Sequence, residues 1–143
     1  MSSTPSDAAL SGAAHLGTAA GLRAFTPAAV LARAGRLGGG RAATLVPLLA
    51  LGELVGDKLP MVPARTSPPA LAARAVSGGV AGQLAAGPQG AIAGAACAVV
   101  AAYGGQHTRA WLGRVTGRPD LQLALLEDAL AVALAFRGAR AAA

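Results

Sequence analysis

The longest uncharged stretch of this chain restricts its fold more than any other feature does. No Asp, Glu, Lys or Arg occurs from Ala75 to Thr108, a run of 34 residues. A helix needs about 20 apolar residues to cross the hydrocarbon core of a bilayer, so this run is too long for a single crossing. Gly87 and Pro88 lie near its middle, and such a pair is typical of a turn. The stretch therefore predicts two apolar helices joined by a tight connection near residues 86–90.

The composition of the chain indicates the same environment. Of 143 residues, 54% are hydrophobic and only 13% are charged, and the mean hydropathy is +0.53. Soluble domains carry roughly 25% charged residues. The net charge of +6 comes from arginines scattered at the predicted helix ends without clustered aromatic residues, which argues against nucleic-acid binding. We therefore expect a single membrane domain, with anionic lipid headgroups next to these arginines.

Apolar segments and turn signals predict an all-α, polytopic transmembrane bundle of about five helices, with four as the alternative count. The predicted helices cover residues 8–34, 42–58, 70–86, 89–115 and 120–137. Pro27 is a candidate break in the first helix, and the proline-rich segment KLPMVPARTSPPA is predicted to be a loop. Residues 8–137 form the predicted domain, between a polar amino-terminal tail at 1–7 and a carboxyl-terminal tail at 138–143. The first tail lacks the basic region of a signal peptide, so we expect no cleavage there.

Glycines at helical spacing predict close packing between these helices. Small residues four apart place two flat patches on one helix face, which lets another backbone approach closely. The chain has 20 glycines, so chance occurrence is the alternative explanation. The pairs with this spacing are Gly17 with Gly21, Gly78 with Gly82, and Gly90 with Gly94.

Four of the six acidic residues lie within or at the ends of predicted apolar helices, namely Glu53, Asp57, Glu127 and Asp128. An acid at the centre of a membrane-crossing helix costs about 2.5–3.5 kcal/mol on insertion scales, so such residues usually face the bundle interior and mark functional sites. We therefore assign these acids to an internal polar path. For Asp57 and Lys58 the alternative is a pair that reaches the headgroups at a helix end.

A proposed internal duplication relates the two ends of the chain. LALGELVGD at 49–57 and LALLEDALA at 123–131 share the pattern Leu-Ala-Leu-x-Glu, which aligns Glu53 with Glu127. The preceding segments align without gaps, and the informative matches are Thr26 with Thr108, Gly35 with Gly117 and Arg36 with Arg118. If the linker helix 70–86 crosses the membrane, the halves 8–58 and 89–137 run in opposite directions. The pattern then predicts an inverted repeat, as in many transporters.

The segment GLRAFTP is a candidate interruption of the first helix, with Arg23 ahead of Thr26 and Pro27. Interrupted helices line the polar sites of many transporters. The alternative is an interfacial arginine ahead of an ordinary kink. The residues assigned to the predicted ion or solute path are Glu53, Asp57, Lys58, Glu127, Asp128, Arg23, Thr26 and Arg65.

Other reactive side chains carry weaker signals. Cys97 is the single cysteine, which excludes an internal disulfide and favours a small buried thiol. His15 and His107 lie in predicted helices, where they either relay protons or pack through hydrogen bonds. Trp111 is flanked by Arg109 and is predicted to anchor a helix at the membrane interface.

Three functions fit this pattern. The first is a small transporter or channel for an ion or solute, in which the acids bind a cation or proton and Arg23, Lys58 or Arg65 balances the charge. The second is a structural or lipid-organising membrane protein whose acids form internal salt bridges. The third is an intramembrane enzyme whose acids hold Mg²⁺. No catalytic motif accompanies them, so we expect neither an enzyme nor a cofactor. Five short helices barely enclose a path, so we also expect a homodimer or higher homo-oligomer among membrane lipids.

Three segments also resemble a known family. AGLRAFTP, GELVGDKLPMVPARTSPPALAARAVSGGVAG and RPDLQLALLEDALAV are similar to a bacterial integral-membrane family, the domain of unknown function 4126. The resemblance covers nearly the whole chain, and its middle segment is the most specific. It implies a multi-pass protein of the bacterial inner membrane, and it implies no established reaction or substrate.

Overall fold

The protein is all-helical in the part that the computed structural model describes, which is residues 4–38, 45–46, 48, 50–53 and 66–143. No strand occurs among these residues, so the predicted fold class is confirmed at this level. The described residues between 45 and 53 are helical and belong to the predicted helix 42–58. The other residues of this predicted helix are not among those that the structure describes. The bounded helices are α1 (Asp7–Leu22), α2 (Thr26–Arg33), α3 (Pro68–Thr116) and α4 (Asp120–Ala141).

The first predicted helix is divided into α1 and α2. α1 ends at Leu22, Arg23 has an extended backbone with φ −143° and ψ 112°, and α2 begins at Thr26. The interruption directly precedes Pro27, so the expected break of the first helix at this proline is confirmed. Pro27 lies in the first turn of α2, where its missing N–H has no helical partner to lose and its fixed φ suits the helix.

The long uncharged stretch forms a hairpin of two helical arms within α3. Ala86 and Gly87 have non-helical backbone angles, and Gly87 adopts the left-handed φ of 64°. A residue without a Cβ reaches this conformation at no steric cost. The first arm, 68–85, and the second arm, 88–116, correspond to the predicted helices 70–86 and 89–115. The predicted connection is confirmed.

The carboxyl end of the chain is more helical than expected. α4 continues to Ala141, although the prediction ended this helix at residue 137 and assigned 138–143 to a tail. Gly138 lies against the backbone of Gly12 in α1, and a Cβ on Gly138 would come within 2.8 Å of the Gly12 carbonyl oxygen. This packing against α1 extends the helix past Arg137.

The predicted glycine pairs bring the helix backbones into contact. Gly94 lies where the second arm of α3 meets both α1 and the first arm, since it contacts Gly17 of α1 and Gly78 of the first arm. Gly82 and Gly90 meet closer to the turn of the hairpin, and Gly21 lies against the second arm. A Cβ on any of these glycines would collide with a backbone atom of the facing helix or with an alanine beside it. The prediction of close helix packing is confirmed.

Small residues fill the interior and large apolar residues cover the outside. The buried hydrophobic residues are mostly alanines, including Ala98 and Ala131 at 0% exposure. Large aliphatic side chains are exposed on α3 and α4, for example Ile92 at 74% and Val100 at 71%. Water-soluble proteins place such side chains inside, so this distribution is the reverse of theirs.

The length and apolar composition of α3 are sufficient for a membrane crossing, and α3 is the one such helix among the described residues. This agrees with a membrane association in the coarse sense. The predicted multi-pass arrangement remains a prediction.

The start of α1 provides a test of local helix stability. The Ser6 hydroxyl accepts a hydrogen bond from the Ala9 N–H at 3.2 Å and satisfies one of the free amides of the first turn. We expect Ser6→Ala to lower the free energy of unfolding by about 1 kcal/mol, and Ser6→Asp, which keeps a capping oxygen, to restore it. Thermal unfolding in detergent measures both; equal stability of all three proteins would contradict this capping role.

Candidate functional site

The site is built around the helix interruption between α1 and α2. The end of one helix and the start of the next leave backbone N–H and C=O groups without helical partners. In an apolar interior each unsatisfied group costs several kcal/mol, so side chains must supply the partners.

A single carboxylate binds the free amides at the start of α2. The Ala24 N–H donates to Oε1 of Glu53 at 2.6 Å, and the Phe25 N–H donates to Oε2 at 2.8 Å. Glu53 therefore lies at the positive end of the α2 dipole, where a negative charge is stabilised. Both of its oxygens serve the interruption.

Side chains of the first α3 arm and of the interruption donate hydrogen bonds to the free carbonyls. Arg74 Nε donates to the Gly21 oxygen at 3.2 Å, and the Ser77 hydroxyl donates to the Ala24 oxygen. Arg23 Nη1 lies 3.4 Å from the oxygen of its neighbour Leu22. The first arm is thereby attached to the interruption at two carbonyls.

A buried ion pair joins the interruption to α4. Arg23 Nε and Nη2 each lie 2.5 Å from Oδ1 of Asp128. Arg23 is 1% exposed and Asp128 is 6% exposed, so both charges are removed from solvent. A buried charge is tolerated only when it is paired and hydrogen-bonded. Each residue therefore depends on the other.

A second buried contact completes this site. Arg74 Nη2 lies 3.6 Å from Oε1 of Glu53, and the two side chains are 6% and 10% exposed. We refer to the group around the interruption as the break site, and it consists of Arg23, Glu53, Arg74, Ser77 and Asp128.

A separate group of charges lies between the second α3 arm and α4. Arg109 forms a two-pronged ion pair with Asp120, and its Nη1 lies 3.6 Å from Oε2 of Glu127. The Asp120 side chain is 76% exposed, whereas that of Glu127 is 9% exposed. We call these three residues the α3–α4 cluster.

The predicted path residues are divided between these two groups. The break site contains Arg23, Glu53 and Asp128, and Thr26 is buried next to it as the first residue of α2. Glu127 belongs to the α3–α4 cluster instead, although it adjoins Asp128 in the sequence. Consecutive helix residues point about 100° apart, so the two acids contact different arginines. The predicted path residues Asp57, Lys58 and Arg65 lie outside the described residues.

The sequence prediction omitted Arg74 and Ser77 from the break site and Arg109 from the second cluster. A signal for the arginines was present: Arg74 directly precedes the uncharged stretch Ala75–Thr108, and Arg109 directly follows it. Arginines in such positions were assigned to lipid headgroups, but Arg74 is 5% exposed and contacts Glu53. Each of the two glutamates aligned in the proposed duplication contacts one of these flanking arginines.

The remaining candidates contribute little to either group. His15 Nδ1 lies 2.6 Å from the Ser11 carbonyl oxygen and His107 Nδ1 lies 2.8 Å from that of Tyr103, so each ring bonds its own helix. Within the described residues no three His, Cys, Asp or Glu side chains are placed to hold a metal ion. The geometry of this part of the chain does not add support to the Mg²⁺ alternative.

A groove of about 600 Å³ lies beside the α3–α4 cluster. Residues of α1, the second α3 arm and α4 line it, and most of them are apolar. Arg109 and Glu127 contribute the charged part of its wall. Cys97 also lines the groove, on the same arm of α3 as Arg109 but 12 positions earlier in the chain.

No family model, no curated protein and no solved structure matches this chain. The resemblance to the domain of unknown function 4126 therefore remains an expectation from the sequence segments.

Proposed function

We propose that this chain is a multi-pass protein of the bacterial inner membrane. Support comes from the distribution of side chains, with alanine and glycine inside and large aliphatic residues outside. A surface carrying Ile92, Val100 and Leu126 at 60% exposure or more suits a hydrocarbon solvent. The second arm of α3 is free of charge from Pro88 to Thr108, which is long enough for one crossing.

Within that membrane protein, we propose that the break site is part of a polar path for an ion or a small solute. The observation that carries this proposal is the interrupted helix with a buried Arg23–Asp128 pair beside it. Transporters often form their sites from interrupted helices, whose free N–H groups and carbonyls bind substrates and ions. Ionisable residues inside a membrane bundle usually mark such paths.

The break site has the groups that a cation or proton path needs. Asp128 and Glu53 are the carboxylates that take up a cation or a proton. Arg23 and Arg74 supply the positive charge that balances each carboxylate while the path is empty.

One observation favours the structural alternative, in which the acids only form internal salt bridges. Every helical acid from Glu53 to Asp128 in the described residues already has an arginine partner, and Glu53 also binds two backbone amides. In that case the pairs hold four helical segments together and nothing moves along them. The decisive quantity is flux through a protein that remains folded.

The inverted repeat and the homo-oligomer belong to the first candidate function, the polar path for an ion or a small solute. The aligned acids Glu53 and Glu127 each lie 3.6 Å from an arginine of α3, and this likeness supports the repeat. The second copy differs in one respect, because α3 continues unbroken through the residues aligned with the interruption at 23–25. A partner copy would complete the walls of a path that so few helices only partly enclose.

We expect Glu53→Gln combined with Asp128→Asn to reduce flux in liposomes by at least about tenfold, because removing the charges that bind the moving ion raises its barrier by about 1.4 kcal/mol or more. Proton flux and a panel of ions and small solutes are measured with purified protein. Asp7→Asn is the matched control, since Asp7 is an exposed acid in the first turn of α1.

The folded state of each variant is checked by its oligomer size and its thermal unfolding. Unchanged flux through a folded double variant would overturn the path. A wild-type protein that passes nothing, together with a double variant that unfolds, would favour the structural alternative.

A further inference from the structure

The contacts of α1 give the direction in which it runs along α3. Gly17 lies against Gly94 of the second arm, and four positions later Gly21 lies against the backbone of Ala98. Since the residue numbers increase together in the two helices, α1 and the second arm are parallel. The second arm begins at the turn of α3, so α1 leads away from that turn and ends at the interruption.

α2 runs in the reverse direction, back towards the turn of α3. At the interruption, the Ser77 hydroxyl donates to the Ala24 oxygen. Beyond the end of α2, Arg36 Nη2 donates to the Leu84 oxygen at 3.0 Å. Leu84 is seven positions closer to the turn than Ser77, or about 10 Å along the first arm. The eight residues of α2 form a helix about 12 Å long, which fits this distance.

One buried cluster joins the two helices on the turn side of the interruption. Leu16 lies seven positions before Arg23 and Val30 lies seven positions after it, yet both belong to the same apolar cluster. A straight helical course through the interruption would separate Leu16 from Val30 by about 20 Å. Ala81 of the first arm and Ala135 of α4 belong to the same cluster. The chain therefore reverses its direction at the interruption.

The interruption lies level with the middle of a charge-free helical segment. The second arm has no charged residue from Pro88 to Thr108, a length of about 30 Å, which is the thickness of the hydrocarbon core of a bilayer. Ala98, which faces Gly21, is ten positions from either end of this segment. A second arm that crosses the bilayer therefore holds the end of α1 near the bilayer centre.

We infer that α1 and α2 form a re-entrant segment, which enters the bilayer from the side of the α3 turn, reaches its centre at the break site and returns to the same side. The inference rests on the proposed membrane location. It deepens the proposed path, because it places the free backbone groups of the interruption at mid-depth. Irregular backbone at this depth must be buried in protein or line a polar cavity. Arg23, at 1% exposure and paired with Asp128, meets the first condition.

The re-entrant segment also bears on the proposed inverted repeat. Inverted copies run in opposite directions across a membrane. α1 and the residues aligned with it, 89–104, run in the same direction. The re-entrant segment therefore restricts the proposed repeat to the helices that carry Glu53 and Glu127.

Distances between pairs of spin labels in liposomes test the reversal. Cys97, the single cysteine of the chain, is first replaced by alanine. Cysteines for labelling are then introduced at three exposed positions: Ala34 directly follows α2, Gln89 lies at the α3 turn, and Arg118 follows the far end of the second arm. These positions do not depend on which way the protein inserts into the membrane.

The distance from position 34 to position 118 is expected to exceed the distance from 34 to 89 by about 20 Å, because the second arm is about 43 Å long. The pair at 89 and 118 is the control, and it reports the length of that arm. A distance from 34 to 118 that is no longer than the distance from 34 to 89 would overturn the reversal.

Depth measurements on single labels test the position in the membrane. Val100 is 71% exposed and lies two positions from Ala98. A label at Val100 is expected to collide more with oxygen, and less with a water-soluble nickel chelate, than labels at Gln89 and Arg118 do. A label at Ala34 is expected to match Gln89. A label at Ala34 as deep as the one at Val100 would overturn the return of α2 to the surface.

The outcomes separate this inference from the membrane proposal. Thermal unfolding and a single oligomer size confirm that each labelled variant is folded. Recovery of the chain in the soluble fraction after cell lysis would overturn the membrane location and the re-entrant segment with it. A membrane-bound, folded protein in which position 34 is closer to 118 than to 89 would overturn the re-entrant segment alone.

Discussion

Replacing Asp128 with alanine is expected to destabilise the protein by about 3–5 kcal/mol, the cost of leaving a buried charge without its partner. Arg23 is 1% exposed, so its guanidinium cannot turn to water when the carboxylate is removed. Thermal or denaturant unfolding in detergent measures the loss. Asp120→Ala is the control, because Asp120 forms its ion pair with a 76% exposed side chain and exposed pairs contribute about 1 kcal/mol or less. Equal losses in the two variants would contradict the burial of the Arg23–Asp128 pair.

A double variant distinguishes the two candidate functions at the same pair. Replacing both members of a buried ion pair with apolar residues of similar volume is often neutral or stabilising. We therefore expect Arg23→Met with Asp128→Leu to recover most of the stability that Asp128→Ala loses. If the pair belongs to a path, this folded protein loses flux. If it is structural, flux through the double variant equals that of wild type, and the path proposal is contradicted.

Replacing Gly94 with valine is expected to cost at least about 3 kcal/mol, the upper part of the usual range for overpacking. A Cβ at this position collides with the carbonyl oxygen of Gly78, and Gly17 approaches Gly94 from α1. Backbone atoms on two sides cannot turn aside as a flexible side chain can. α1 and the two arms of α3 must therefore separate or the protein must unfold. The yield of folded, monodisperse protein measures the loss of stability.

The control for this prediction is Gly104→Val on the same arm of α3. A Cβ on Gly104 meets nothing within 4 Å, and valine is a better helix former than glycine. We expect Gly104→Val to be as stable as wild type or slightly more stable. Similar destabilisation by both substitutions would show that helix propensity or general crowding, and not the close approach at Gly94, is responsible.

Local features of the sequence were sufficient to predict most of the secondary structure and one element of packing. The charge-free stretch with Gly87 near its centre predicted the hairpin, since a turn residue and two apolar segments are short-range signals. The glycine pairs predicted which helix faces approach closely, because the absence of a side chain has the same steric effect in any partner. The interruption near Arg23 was also anticipated, with Pro27 as the candidate break, and Pro27 lies directly after it in the first turn of α2.

The pairing of charges depends on how the helices pack and was only partly predicted. Arg23 and Asp128 are 105 positions apart, and no local pattern selects one arginine as the partner of a given acid. The arginines at the predicted helix ends were assigned as a group to the lipid headgroups, whereas packing against α1 brings Arg74 to Glu53 and to the Gly21 carbonyl. Glu127 and Asp128 were grouped as one site, but the rotation of α4 directs them to different arginines.

The amino-acid sequence alone therefore specifies the helices, the hairpin and the small-residue faces, because these follow from local sterics and from the cost of charge in an apolar environment. The break site, the α3–α4 cluster and the groove beside it exist only once the helices are assembled. Free backbone groups at the interruption and buried guanidinium groups must find partners in an interior without water, and the orientation of each packed helix selects the side chains that can reach them.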